Sequence, residues 1–298
     1  MYAFFVYKNS RIVNSFKKQK VKEMIVTVTA ECINDINFFK YLFLDKLIVE
    51  EKKLGEISVV NILVKSKKGK IKWKKIAKLL GKEEFKILFP NQLPIMTKLG
   101  IKRFSSINIQ KKLCKNAVLE VLNKAKLNPN KLRISLIDET GEHSELLRKI
   151  IKFSSQIDVL TLNERLYLEK QMDLMDEFGA SVMVTKNKDW LFKSDIVVAP
   201  EPINEPLPIK KDSVVFSSEI NKYLNCLNAY YEYKVEIPLK YKKLKPQNVS
   251  VEYFLSALFD EYDLSDLPLL RPKKCLSKCG LESIEDVAKK IKVSCASL

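Results

Sequence analysis

Five short apolar runs constrain this chain more than any other feature: Ile134–Ile137, Ile157–Leu162, Val182–Thr185, Asp195–Ala199 and Asp212–Ser217. Each is too short for a helix, and their apolar residues do not follow the clean alternation of a half-solvated strand. They read as strands buried on both faces. Helical patterns separate the first three. Ser144–Phe153 places Leu147, Ile150 and Ile151 on one face. Glu164–Phe178 repeats Leu168, Met172 and Met175 at i, i+4 and i+7 and is closed by Gly179. Helices between short buried strands imply parallel crossovers. The expectation is an α/β fold built on a doubly wound parallel sheet.

The first hundred residues also alternate strand and helix patterns. Tyr2–Tyr7, Met24–Ala30, Ile57–Val64 and Phe85–Phe89 read as strands, the last stopped by Pro90. Ile33–Ile48 reads as a helix, with Asn34 and Asp35 as candidate caps. A turn at Lys68-Gly69 precedes a second helix in which Trp73, Ile76, Ala77 and Leu80 recur at helical spacing up to Gly81. Ile107–Lys126 reads as a connecting helix, ended by Asn128-Pro129-Asn130. Beyond residue 225 the pattern weakens: a strand over Tyr231–Ile237, a helix over Val251–Tyr262, a loop over Leu264–Pro272 and a terminal helix from Ile284 are expected.

The pieces ISLIDETGEHSELLRKI, IDVLTLNE, EFGASVMVT, KSDIVVAP and KDSVVFSS follow one another as in a known fold. Residues 131–217 resemble a Rossmann-type NAD(P)-binding domain of the shikimate-dehydrogenase-like kind. That resemblance implies a nucleotide site at the carboxyl ends of the strands, formed by Asp138, Thr140, Gly141, Asn163 and Glu164. The phosphate-binding glycines do not match: Asp138, Thr140 and His143 stand where G-x-G-x-x-G is expected, and only Gly141 remains, out of register. Asp138, Glu139 and Glu142 would meet a diphosphate with like charge, so ordinary NAD(P) binding is disfavoured. The cofactor stays unknown. His143, the sole histidine, is the candidate catalytic acid–base beside Asp138 or Glu142. The segment PEPINEPLP after the fourth strand reads either as a border of the ligand crevice or as a stiff connector. No P-loop, nucleophile elbow or H-E-x-x-H motif is present, so a kinase or hydrolase reading has no support.

The chain carries 53 basic and 36 acidic side chains, and only six of the basic ones are arginine. Biased codon usage accounts for the choice of lysine but not for its placement, because most of the excess falls before residue 107. Between Lys65 and Lys82 there is no acid, and Lys65, Lys67, Lys68, Lys70, Lys72, Lys74, Lys75 and Lys78 would form a ridge ending at Lys82. Such a ridge suits phosphates, which need cations rather than a particular sequence. It reads as a solvated face, as a nucleic-acid surface or as a dock for an acidic protein. As a membrane anchor the short helix is weak. Trp73 belongs to the core side of that helix.

Cys275-x-x-x-Cys279 and Cys295 offer three thiolates without the spacing or fourth ligand of a zinc site, even if Cys226 or Cys32 is considered, so no metal is expected. The irregular cysteines read as reduced thiols. No apolar run reaches the roughly 20 residues of a membrane span, and MYAFF is too short for a signal-peptide core. A cytoplasmic protein is expected. The anticipated organisation is a smaller basic α/β domain over 1–106, a connecting helix over 107–130, a Rossmann-like domain over 131–225 and a mainly helical segment over 226–298 that packs on the body. Two functions follow. One is a Rossmann-like protein that takes a nucleotide or a small anionic metabolite without ordinary dehydrogenase activity. The other is a non-enzymatic protein that docks nucleic acid or an acidic partner through the Lys65–Lys82 ridge. Oligomeric state is not encoded in any of these features.

Overall fold

The computed structural model describes residues 24–32, 47–66, 71, 73–80, 85–89, 100–179, 181–224, 226–262, 264 and 266–296. The expected strand Tyr2–Tyr7, most of the helix expected over Ile33–Ile48, the Lys68-Gly69 turn and the stops at Gly81 and Pro90 lie outside them. In chain order the first elements are β1 (Met24–Cys32), β2 (Leu47–Leu54), β3 (Ile57–Ser66), α1 (Trp73–Leu80), β4 (Phe85–Leu88), β5 (Ile101–Arg103) and α2 (Ile107–Ala125). Then come β6 (Arg133–Ile137), α3 (Glu145–Ile150), β7 (Gln156–Leu160), α4 (Glu164–Phe178), β8 (Ser181–Thr185), β9 (Ile196–Ala199), β10 (Val214–Ser217) and β11 (Asn228–Lys234). The chain continues with α5 (Leu239–Lys242), α6 (Val251–Glu261), β12 (Lys274–Ser277), β13 (Gly280–Ser283) and α7 (Ile284–Ala296). Among the described residues no helix is long and apolar enough to cross a membrane.

The chain divides into two compact units, and both are discontinuous. Unit 1 comprises Met1–Ser106 and Ile237–Leu264. Its sheet has the order β2-β3-β1-β4-β5, parallel except for the β2–β3 hairpin. Leu47 and Ile48, expected to close a helix, instead open β2. The turn at Gly55, whose φ of 58° suits glycine, folds β2 back on β3. Trp73, Ile76 and Leu80 of α1 sink into a core of Val26, Val28, Val60, Ile62 and Ile87, with Trp73 edge-on to Phe89 at 5.1 Å. The segment Ile237–Leu264 is stitched to this sheet through α6. The Tyr253 hydroxyl donates to the Ile87 carbonyl at 3.4 Å, and the Tyr262 hydroxyl accepts from the Ser58 amide at 3.0 Å.

Unit 2 comprises Ile107–Glu236 and Ser265–Leu298. Its eight-stranded sheet has the order β13-β12-β11-β10-β9-β6-β7-β8. Strands β6 to β11 are all parallel, whereas β12 and β13 form an antiparallel edge. The molecule is therefore mixed α/β with parallel sheets. β6, first of the parallel set, lies between β7 and β9, so the carboxyl ends of β6 and β9 adjoin where the chain changes direction across the sheet. α2 buries Ile109, Leu113, Ala117, Val118 and Val121 and packs against β9, β10, β11 and α7. It ends at Ala125, and Asn128 then caps a 3-10 turn over Pro129–Lys131.

Several boundaries differ from those expected. The strand read over Tyr231–Ile237 starts earlier, at Asn228. The cysteine-bearing stretch near residue 275 forms the β12–β13 hairpin, which no alternation announces because each strand has only four residues. α4 covers the expected residues and ends on Gly179 at φ 63°, but it buries Tyr167 and Leu174. Leu168, Met172 and Met175, read as its apolar face, are exposed.

Candidate functional site

The loop that leaves β6 is organised by one side chain. Asp138, the residue after the strand, is fully buried. Its carboxylate accepts from the Gly141 amide at 3.0 Å, the His143 amide at 2.8 Å and the Tyr167 hydroxyl at 2.5 Å. The Thr140 hydroxyl stands 3.5 Å away. A buried carboxylate needs this many donors to replace its hydration. Burial first, then the neighbouring carboxylate, pushes the Tyr167 phenol far above its ordinary value, so it stays a donor.

The same loop is locked to the one that leaves β7. The Asn163 side chain donates to the Thr140 carbonyl at 3.3 Å, and the Leu162 amide to the Glu139 carbonyl at 3.2 Å. Gly141 sits at φ 88°, and a Cβ there would lie 2.7 Å from Leu166 Cδ2 and 3.1 Å from Asn163 Nδ2. Only glycine fits. Glu164, at the start of α4, pairs with Lys186 at 3.2 Å.

Four more side chains meet at this rim. Glu201 follows β9, His143 follows β6, and Lys111 and Lys115 stand one turn apart on α2. Lys115 Nζ lies 3.0 Å from His143 Nδ1, His143 Nε2 lies 2.7 Å from Glu201 Oε1, and Lys111 Nζ lies 2.5 Å from Glu201 Oε2. The lysine ammonium donates to Nδ1, so Nε2 carries the ring proton and donates to Glu201. His143 is only 5% exposed, so its ring belongs to the buried side of this rim.

Burial works against the Glu201 charge, but hydrogen bonds from Lys111 and His143 outweigh it and hold the carboxyl below the ordinary glutamate value. Lys115 is lowered by burial and then by Lys112. Lys112 is itself lowered by burial and then by Lys149. Glu142, His143 and Glu201 offer donor atoms within 4.8 Å of one another. The protonated Nε2 and the ammonium on Glu201 make that trio a poor cage for a dication, because both ligand atoms are already committed to protons.

The next strand adds one further group. Ala199 of β9 pairs with Ser217 of β10, so Ser218 comes level with Pro200 at the same rim. Ser218 is buried, and its hydroxyl has no hydrogen-bond partner among the described residues.

The structure thus brings Asp138, Thr140, Gly141, His143 and Asn163 together at one rim, with Glu164 beside them. Sequence reading missed Lys111, Lys115, Glu201 and Tyr167. Two signals were available: the i, i+4 spacing of the two lysines, and the position of Glu201 two residues after the fourth strand ends at Ala199. Of the lysine ridge, Lys74, Lys75 and Lys78 are exposed on α1, and Lys65 lies in β3. Lys67, Lys68, Lys70, Lys72 and Lys82 fall outside the described residues.

No family model matches the chain, and no curated protein matches it. Among solved structures it is similar to L-tryptophan dehydrogenase from Nostoc punctiforme, at 10% identity and a TM-score of 0.31, over 99% of this chain and 89% of that one. A likeness of that strength carries no argument about activity.

Proposed function

We propose that unit 2 is a doubly wound, Rossmann-like domain whose carboxyl rim binds a small anionic metabolite rather than an NAD(P) dinucleotide. Counted from β6, the parallel strands have the order 3-2-1-4-5-6 of the dinucleotide-binding fold, which places its ligand where β6 and β9 adjoin. The observation that carries the reading is the hydrogen-bonded chain Lys111–Glu201–His143–Lys115 at that place.

Three features support an anion. Lys111, Lys112 and Lys115 crowd the amino-terminal half of α2, which has no acid in its first turn and already presents the positive end of a helix dipole. Burial first, and then a neighbouring lysine (Lys149 for Lys112, Lys112 for Lys115), holds both below the ordinary lysine value, and a bound anion offsets that cost. Ser218 supplies a buried hydroxyl with an unused donor.

A dinucleotide is disfavoured for a different reason. The amides of Gly141 and His143, which a pyrophosphate would need, are consumed by Asp138. The carboxylate takes the place of the phosphate. A carboxylate or phosphate monoester of modest size fits what remains, with His143 placed to give or take a proton through Nε2.

The test is calorimetry and thermal unfolding of the full chain at constant ionic strength. Phosphate, citrate and succinate are set against NAD+, NADH, NADP+ and ATP. At about 100 times its Kd a small anion adds about 2.7 kcal/mol, which raises the midpoint by roughly 5 °C or more. Lys115→Met and Lys111→Met abolish that shift, whereas Lys74→Gln, Lys75→Gln and Lys78→Gln together leave it. Saturable binding of NADH with no response to small anions overturns the reading.

A further inference from the structure

The geometry points to the outer face of α4 as a docking surface for a basic amphipathic helix of another protein. The helix is anchored by Tyr167 and Leu174, seven residues apart on its inner side. A third of a turn away runs a second apolar stripe: Leu168, Met172 and Met175 at i, i+4 and i+7, widened by Phe178. Their exposures are 50%, 70%, 63% and 39%. Leu162, just before the helix, is 67% exposed. α4 therefore shows solvent more large apolar side chains than it buries. Scattered surface apolar residues are ordinary, whereas a contiguous stripe at helical spacing is the form a helix partner reads. Two of its members are methionines, whose flexible thioethers adapt to a partner's side chains.

The rim of the stripe identifies the partner's charge. At 100° per residue, Glu169, Asp173 and Asp176 follow one another along one flank. Arg165 is committed to Glu169 at 3.2 Å, but neither Asp173 nor Asp176 has an ion-pair partner among the described residues. The last turn holds Asp176 and Glu177 and no basic residue, so acids crowd the negative end of the helix dipole. Only Glu177 is answered, by Arg148 at 2.5 Å. A partner helix with apolar residues at i, i+3 or i+4, and i+7, flanked by Lys or Arg, covers the stripe and neutralises the two aspartates and the dipole end together.

Charge also argues against a second copy of this chain. Antiparallel pairing of two α4 stripes sets Glu169 of one copy opposite Asp176 of the other, which repels. An anionic lipid surface is repelled by the same flank.

The probe is a fluorescein-labelled peptide about 18 residues long, made of leucine at helical spacing and lysine elsewhere, long enough to hold a helix on contact. Its control carries glutamate in place of lysine. Anisotropy titration against the full chain is expected to show saturable binding of the lysine peptide only. Because all four stripe residues face solvent, serine variants fold, and an unchanged thermal midpoint verifies it. Met172→Ser with Met175→Ser weakens binding about tenfold or more. Asp173→Asn with Asp176→Asn weakens it about threefold and flattens its salt dependence. Equal binding by wild type and the serine variant overturns the proposal. So does a concentration-dependent dimer in sedimentation equilibrium that the serine variant abolishes, or vesicle binding lost in the same variant.

Discussion

The Tyr167 hydroxyl donates to the Asp138 carboxylate across 2.5 Å, tying the first turn of α4 to the loop that leaves β6. With the Gly141 and His143 amides it completes the shell of donors around a fully buried carboxylate. Tyr167→Phe removes one donor and keeps the ring, so urea unfolding should report a loss of about 2 kcal/mol. Asp138→Ala leaves two amides and a phenol without an acceptor and should cost more, roughly 3 kcal/mol or above. If Asp138 stands in for a phosphate, that variant gains a stabilising response to added phosphate that wild type, at this loop, lacks.

Ser218 separates function from stability. Its buried hydroxyl has no partner among the described residues, so Ser218→Ala should leave unfolding free energy unchanged or raise it by about 1 kcal/mol. If the hydroxyl serves the anion, the same substitution weakens binding about fivefold in calorimetry. Unchanged affinity removes Ser218 from the site.

Glu201 sets an acid limb. Its folded value is depressed relative to the unfolded chain, so its contribution is complete above the ordinary glutamate value of 4.5 and is lost as pH falls through the lowered one. Denaturant midpoints followed from roughly pH 6 to pH 3 should fall in wild type and fall less in Glu201→Gln. At neutral pH the variant should be weaker by about 1 kcal/mol, because Lys111 and His143 lose a charged acceptor.

The thiols set an alkaline limb. Burial pushes Cys114 up to about 12, from an ordinary 9.0, and raises Cys275 as well, whereas Cys279 is exposed on the β12–β13 turn. Iodoacetamide at mildly alkaline pH should alkylate Cys279 and spare Cys114 and Cys275 until the chain is denatured, as peptide mass mapping would reveal. A raised folded value stabilises below the unfolded one. The Cys114 contribution is therefore complete below about pH 9 and declines as pH climbs towards 12. Rapid native labelling of Cys114 would contradict its packing.

What could be read from the sequence follows from the range of the interactions involved. Runs such as Ile196–Ala199 are buried on both faces, and that condition is written in four consecutive residues. Asp138, Gly141 and His143 were legible for the same reason, since all three sit in the loop directly after β6. Lys115 lies 28 residues from His143 in sequence and Glu201 lies 58 away, so only the sheet order brings them together. α4 shows the limit in another way. Its period of Leu168, Met172 and Met175 was plain, but periodicity defines a face without saying what it meets. Tyr167 and Leu174, an equally regular pair, are the ones turned inward. The β12–β13 hairpin was missed because four-residue strands carry too little pattern to register.

The return of Ile237–Leu264 to unit 1 has a consequence for synthesis. The strands of unit 1 leave the ribosome first, yet α6, which lies against β1 and β4, is translated only after the whole parallel sheet of unit 2. At typical elongation rates that interval is roughly ten seconds. For that time a nascent five-stranded sheet waits with the surface meant for α6 uncovered, while the strands of unit 2 are still being made. A ribosome-bound chain stalled before residue 237 should be more sensitive to protease within residues 24–103 than one stalled well after residue 264. A gene cut at residue 106 would strand α6 on the wrong fragment.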